Sequence, residues 1–381
     1  MLDRSLVERL RGVDPAGHPV VSLYLGLGPD LNELRAIATR LKGLAHSLRE
    51  EVGNWGEEEA RGLRQDLDRA VAMADRVAAD LGRGAALFVC SAAGLAEHVG
   101  LPAQVRDRAV IDSTPYLGPL EAMLAHFHRY CAVVIDRRLA SIYRFHMGEL
   151  ESWEQMAEEE VRKDNYGGFA GYAEHGARGR AEEVARRHFR AVAGRLAELW
   201  RSKEFDLLAV GGNQANVDGL IAELSPDLAA VMAGTFVVDP RTATPPEIRE
   251  RCEALAEEHE AQADARLVSD LMDAAGAGSR GVVGLDRVLD AANQHAIDML
   301  LLDAGETVPG VACPACGWLA RPVAACPACG AATRRVADLF DAVAEAARAE
   351  GGAVRYVLAA TPLSRFEAGA LLRFPAASVG G

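Results

Sequence analysis

The segment from Cys313 to Gly330 constrains this chain more than any other, because it places four cysteines in two matched pairs. It reads C-x2-C, nine intervening residues, then C-x2-C, and Gly317 and Gly330 directly follow the two pairs. Two cysteines three apart on a tight turn direct both thiolates at one ion, and the glycine lets the backbone fold back. Two such turns facing each other complete a tetrahedral site of four thiolates, Cys313, Cys316, Cys326 and Cys329. All four positions are then filled by protein, which leaves no open position for a reacting water and implies a structural Zn2+. A redox dithiol is the main alternative, but it needs one C-x2-C rather than two. Iron is a second alternative that ligand type alone leaves open. Of the seven cysteines, Cys90 and Cys131 lie in apolar strand-like runs, where a small buried thiol is ordinary, and Cys252 stands apart.

At 381 residues the chain is too long for one ordinary core, so two or three domains are expected. The N-terminal stretch from Met1 to Gly12 lacks the uninterrupted apolar core of a signal peptide. No run approaches the roughly 20 apolar residues of a membrane span, so a cytoplasmic location is expected. The formal charge of −14 argues against non-specific nucleic-acid binding as the dominant activity. It does not forbid RNA contact, since local charge decides that and the positive residues are clustered.

Hydrophobic patterning alternates short apolar runs with longer amphipathic stretches, the mark of an α/β protein. The first domain, 1–118, has strands at Val20–Leu27, Ala85–Cys90, a short run near Leu95–Val99, and Arg108–Asp112. Helices are expected at Leu31–Glu51 and Glu57–Leu81. Thr114 to Pro119 breaks the pattern. The second domain, 119–265, opens with a helix at Leu120–Tyr130 and a hairpin of Cys131–Asp136 with Ala140–Phe145. A Gly-rich irregular stretch at Asn165–Gly179 leads into a long helix, then strands at Leu207–Gly212 and Phe236–Asp239 separated by a helix, and a helix from about Pro246. This pattern fits a mixed sheet with helices on its faces. The third domain, 266–381, holds a helix at Gly284–His295, a strand at Ile297–Leu302, the cysteine ribbon at 311–331, a helix at Val336–Glu350 and a strand at Val354–Leu358.

Two features of the second domain invite a functional reading. Glycines between Tyr166 and Arg180 are too frequent for helix or strand and indicate a mobile, exposed loop. In the following helix, Ala181, Ala185, Phe189, Val192, Leu196 and Trp200 keep helical spacing and form a buried stripe. Most of Arg180, Arg186, Arg187, Arg190, Arg195 and Arg201 fall away from that stripe. A solvated face is one reading. The other is an RNA grip, with Gly167 and Gly168 approaching closely and Arg178, Arg180, Arg186, Arg187 and Arg190 on phosphates. That reading requires the loop to be exposed and the arginines not to be neutralised by carboxylates. His175 beside Glu174 reads as an exposed loop histidine, since no nucleophile is identifiable. Gly211 to Gln214 follows a buried strand and opens a helix; it lacks the longer Walker pattern with its Lys and reads as structural punctuation with Asn213 as cap.

The third domain resembles the C-terminal domain of archaeal release factors. The resemblance rests on Gly284 to Gly305, the four-cysteine ribbon, and Val336 to Phe374 with its closing Leu371-Leu372-Arg373-Phe374. It implies a ribosomal-protein-like α/β fold interrupted by a zinc ribbon. Residues 131–265 similarly resemble the family's middle domain, an RNase H-like fold whose Gly-rich loop and basic helix reach the peptidyl-transferase centre. The N-terminal strand and its long helices match more weakly. Two departures bear on function. The family's catalytic Gly-Gly-Gln is absent, since the loop reads Gly167-Gly168-Phe169, and no Asn-Ile-Lys-Ser element is found in the helix containing Ala36 to Leu44. The chain is therefore closer to the bacterial branch, which resembles Pelota-type rescue factors, Vms-type peptidyl-tRNA hydrolases and Balon-type hibernation factors.

Three functions follow as expectations. The first is a ribosome-associated factor that binds the A site in rescue or hibernation rather than in stop-codon-dependent termination. The second is a peptidyl-tRNA hydrolase, with backbone amides of the Gly167-Gly168 loop replacing the missing glutamine; catalytic residues are otherwise unknown. The third is a zinc-braced protein-interaction adaptor without RNA contact, which the overall acidity favours. For the first two, the expected partners are the ribosome and tRNA or rRNA. DNA and membrane are not expected partners, and the expected state is a monomer.

Overall fold

Val20–Gly26 (β1), buried over its whole length except the last residue, is the central ladder of the first sheet. The computed structural model describes residues 2–27, 31–53, 55–79, 83–126, 128–146, 148–157, 172–303 and 307–375. Before β1 lies Arg4–Arg11 (α1), whose first turn is capped by the Asp3 carboxylate accepting from the Leu6 N–H at 2.7 Å. After it come Leu31–Ser47 (α2), Arg49–Val52 (α3), Glu57–Ala72 (α4) and Ala74–Ala79 (α5). The sheet is completed by Gly84–Cys90 (β2), Leu95–Leu101 (β3) and Arg108–Asp112 (β4), and Gly118–His126 (α6) follows. Strand order is β3-β2-β1-β4, antiparallel throughout. Leu23, Leu25, Leu87 and Val89 from one sheet face meet Leu41, Leu63, Leu67 and Val77 from the helices in one core.

The middle of the chain builds Arg129–Ile135 (β5), Leu139–His146 (β6), Glu149–Ala157 (β7), Tyr172–Arg201 (α7), Leu207–Gly212 (β8), Gln214–Ile221 (α8), Pro226–Ala230 (α9), Met232–Val237 (β9) and Pro245–Gly276 (α10). The sheet order is β7-β6-β5-β8-β9. β5, β6 and β7 form an antiparallel meander, and β8 and β9 add parallel to β5. This is the RNase H-like topology expected for the segment. Cys131, Val133, Val210 and Ile142 pack on one face against Phe189, Val192 and Leu196 of α7. Ala132, Val134 and Ala209 pack on the other against Ile248, Cys252 and Ala256 of α10. Gly211 permits this layering, because a Cβ there would drive into the Phe236 ring.

The last part forms Gly281–Val283 (β10), Leu285–Asn293 (α11), Ile297–Asp303 (β11), Gly310–Ala312 (β12), Leu319–Ala320 (β13), Arg334–Val336 (β14), Leu339–Ala349 (α12), Ala353–Val357 (β15), a 3-10 turn at Pro362–Arg365, and Ala368–Leu372 (β16). One sheet runs β10-β16-β11-β15, with only the β11–β15 pair parallel. The smaller sheet, β13-β12-β14, carries the cysteines. Residues 1–126 and 264–381 form one unit and residues 127–263 a second, and the division falls within α10.

Several elements differ from expectation for identifiable reasons. The helix expected at 120–130 ends at His126, and Tyr130 enters β5, where tertiary pairing with Phe145 outweighs local propensity. β7 was not anticipated: its residues Glu149, Glu151 and Glu154 give no apolar face, and the strand lies at the sheet edge, where none is needed. The helix expected from Arg180 begins at Tyr172, so Gly176 and Gly179 are helical. A glycine costs about 1 kcal/mol against Ala, which a 30-residue helix absorbs once nucleated. The expected 336–350 helix starts later, at Leu339 capped by Asp338, because Arg334–Val336 pairs with β12.

Candidate metal centre and basic helix face

The two cysteine turns have the same local geometry. In the first, the Gly317 N–H donates to the Cys313 carbonyl at 2.9 Å and the Cys313 N–H to the Trp318 carbonyl at 2.8 Å. In the second, Gly330 donates to Cys326 and Cys326 to Ala331, each at 2.8 Å. Gly317 and Gly330 have φ of 75° and 76°, the left-handed region that a side chain would strain. The four Sγ atoms lie within 4.8 Å of one another, with Cys313–Cys329 at 3.5 Å and Cys316–Cys326 at 3.6 Å. Four thiolates about 2.3 Å from one zinc would stand about 3.8 Å apart, so the arrangement fits a tetrahedral ion. It is the sole such cluster of His, Cys, Asp or Glu among the described residues. Cys313 and Cys326 are buried while Cys316 and Cys329 reach the surface. Cys90, Cys131 and Cys252 are buried elsewhere, and burial raises the Cys131 and Cys252 thiols, the latter to about 12.

The ribbon is fastened to the fold by residues distant in sequence. The Asn293 side chain donates to the Leu319 carbonyl and accepts from the Leu319 N–H, both at 2.8 Å, so α11 grips β13 like a neighbouring strand. Arg321 pairs with Asp286 of the same helix at 2.7 Å. Leu319 and Val336 enter the core beside Leu339 and Val343. Asn293→Ala leaves both backbone groups of buried Leu319 without partners. It is expected to cost about 2 kcal/mol in denaturant unfolding, with metal content unchanged.

On α7, Ala185, Phe189, Val192 and Leu196 are buried as the spacing required, and Trp200 is partly so. Arg186 and Arg190 point outward, with side chains 64% and 62% exposed. Each bonds through Nε to Glu223, at 2.9 and 3.1 Å, and that carboxylate is 16% exposed. These two guanidiniums hold the Glu223 carboxyl below the ordinary carboxylate range, and Glu223 in turn raises Arg186. The three groups carry a net charge of +1. Arg195 is answered more fully, by Glu154 at 2.8 Å and Glu198 at 3.1 Å. Arg187 is exposed on the same helix. The condition set on the sequence, that carboxylates leave this row uncompensated, is met only in part.

Gly167 and Gly168 lie outside the described residues. Arg178 and Arg180, like Glu174 and His175, fall on the first turns of α7, with side chains outside the described residues. Asn213 caps α8, accepting from the Ala215 N–H at 3.1 Å, and Gly212 (φ 146°) approaches the Ile135 carbonyl. Glu223, Glu154 and Asn293 were not anticipated as members of these sites. Their partners lie 26 to 41 residues away, beyond any local spacing rule.

The mixed five-stranded sheet with the arginine helix on its face is an RNase H-like fold. By this middle segment the chain is similar to the archaeo-eukaryotic release factors, in their bacterial branch. Within that branch, residues 115–261 match the family model of bacterial archaeo-eukaryotic release factor family 10. No curated protein matches the chain. Among solved structures, it is similar to Pelota of Archaeoglobus fulgidus at 17% identity, over 78% of this chain and 80% of that one, with a TM-score of 0.34. Dom34 of S. cerevisiae, described as a translation termination-like factor, is 11% identical over 74% of each chain, with a TM-score of 0.42. An archaeal translation termination factor, aRF1, is 16% identical over 97% of this chain and 96% of that one, with a TM-score of 0.26. Among the described residues no helix is long and apolar enough to cross a membrane.

Proposed function

We propose that the protein is a ribosome-associated translation factor of the cytoplasm. It occupies the A site through three domains (1–118, 119–265 and 266–381) in rescue or hibernation rather than in termination at stop codons. The observation that carries this reading is the match of residues 115–261 to a release-factor family. Arg186, Arg187 and Arg190 on α7 would meet phosphates of tRNA or rRNA, with Glu223 holding two of the guanidiniums in place. The sequence ahead of this helix reads Gly167-Gly168-Phe169 and lacks the glutamine of the catalytic release factors, so binding without hydrolysis is the expected activity. The four thiolates would hold Zn2+ as a brace, with no position left for substrate.

The adaptor reading has its own support: Glu223, Glu154 and Glu198 answer several of the arginines, and the chain carries a charge of −14. Co-sedimentation with native ribosomes across a salt series separates the two. The translational reading expects pelleting at low salt that is lost as salt rises. Protein left in the supernatant at every salt concentration would sink it and leave the adaptor. In the same preparation, peptidyl-tRNA should remain intact. Release that is abolished by Gly168→Ala would instead establish a hydrolase.

A further inference from the structure

A second cluster of charged groups, which shares no residue with the four-cysteine site, lies inside the unit formed by residues 1–126 and 264–381. There α1, β1, β4 and α6 meet α12 and β15. Arg11 of α1 pairs with Glu121 of α6 and, at 3.2 Å, with Glu345 of α12. Arg348 of α12 pairs with Glu121 at 2.5 Å and Glu345 at 3.2 Å, and the Tyr356 hydroxyl of β15 donates to Glu121 at 2.9 Å. The Tyr116 hydroxyl donates to Asp338 at 2.9 Å and accepts from Arg108 of β4 at 2.5 Å. The Tyr24 hydroxyl of β1 donates to the Tyr116 carbonyl at 2.5 Å, and Asp112 of β4 accepts from the Ala337 N–H at 2.8 Å.

The charges in this seam do not balance. Asp112, Glu121, Asp338, Asp341 and Glu345 face Arg11, Arg108 and Arg348, so full ionisation leaves an excess of two negative charges. Four of the five carboxyls accept hydrogen bonds. The exception is Asp341, a partly buried residue whose Oδ1 is itself shielded from solvent and without a partner. A Cβ built on Gly118 would stand 3.3 Å from that oxygen, so Oδ1 rests against the start of α6 and not against water. An ionised, unpaired carboxylate in such a place costs several kcal/mol, and a bound proton removes that cost.

We propose that this seam is a proton-dependent clasp, in which Asp341 holds a proton while the N-terminal sheet and the C-terminal α/β fold are closed on each other. Burial, reinforced by Glu121, Asp338, Glu345 and Asp112, pushes Asp341 well above the ordinary carboxylate range, and burial raises Asp338 as well. The folded state therefore keeps a proton that the unfolded chain releases. Stability is greatest in mildly acidic solution and falls as pH rises toward the folded-state value of Asp341. Loss of that proton sets a third carboxylate against Glu121 and Asp338 and loosens the seam.

The test uses the full chain. Asparagine keeps the shape of Asp341 without the charge, so Asp341→Asn should flatten the fall in Tm with pH. It should also exceed wild type by roughly 2–4 °C at about pH 8. Carbon-13 labelling of aspartate carboxyls should show one signal that keeps its protonated shift at neutral pH and disappears in Asp341→Asn. Parallel Tm profiles for the two proteins, or a protonated signal that survives the substitution and so belongs to Asp338, would overturn the proposal. Should the variant fail to fold, the wild-type spectrum decides alone: no protonated aspartate carboxyl at neutral pH overturns it too.

Discussion

Chelation of the metal, or Cys313→Ser, is expected to unfold the ribbon and to abolish the native transition of the unit that contains it. A four-thiolate zinc site contributes about 10–16 kcal/mol of apparent binding energy at neutral pH in zinc-finger peptides, which matches or exceeds the whole stability of a typical domain, about 5–15 kcal/mol. Beyond the Asn293 clamp and the Arg321–Asp286 pair, the described ribbon has little else to hold it: β12, β13 and β14 are two or three residues long, and Leu319 and Val336 enter the main core with Ala312 packed against it. Without the ion, four thiols lie within 4.8 Å with no common partner, and the two turns separate. Leu319 and Val336 are then withdrawn from contact with Leu339, Val343 and their neighbours. Calorimetry with and without chelator, together with hydrogen exchange, reads the effect. Protection should vanish in β12 to β14 and α12 and persist in β5 and β8 of the middle unit. One zinc per chain, and a cobalt derivative with a tetrahedral thiolate spectrum, would fix the ion's identity. An unmoved transition after complete metal removal would contradict the brace.

Reversing the arginine face should abolish ribosome binding if α7 meets RNA. Arg186, Arg187 and Arg190 changed together to Glu convert three positive charges into three negative ones beside Glu223, where two of the arginines now dock. Each phosphate contact contributes about 0.7 to 0.9 to the slope of log affinity against log salt, so three contacts predict a loss of roughly 20–40-fold between 50 and 200 mM salt. The variant should show neither the affinity nor that slope. The three side chains point away from the buried stripe, so its thermal stability should stay within about 1 kcal/mol of wild type. A variant that pellets with ribosomes as wild type does would remove α7 from the interface, whatever the rest of the chain contacts.

How much of this was legible beforehand differs from element to element. The buried strands Ala85–Cys90 and Leu207–Gly212 declare themselves as unbroken apolar runs between turn residues, and both form. The stripe Ala185, Phe189, Val192 and Leu196 declares the buried face of α7 by spacing alone. β7 declared nothing, because its half-buried face carries Ser152 and Glu154 beside Met156 and so shows no apolar period. The charge state of the arginine face was also out of reach. Arg186 and Glu223 stand 37 positions apart and meet because α7 and the end of α8 pack on one sheet face.

By itself the sequence determined the four-thiolate ligand set, the helix that carries the arginines and the alternation of strands and helices. Each depends on spacing within a few residues, where chain geometry leaves little choice. Tertiary structure alone decided which carboxylates sit on those arginines, how Asn293 grips the ribbon, and that the Asp341 Oδ1 is buried in a seam with too few positive charges. Those outcomes are set by which surfaces come together, and burial then prices each charge according to partners that linear distance does not reveal.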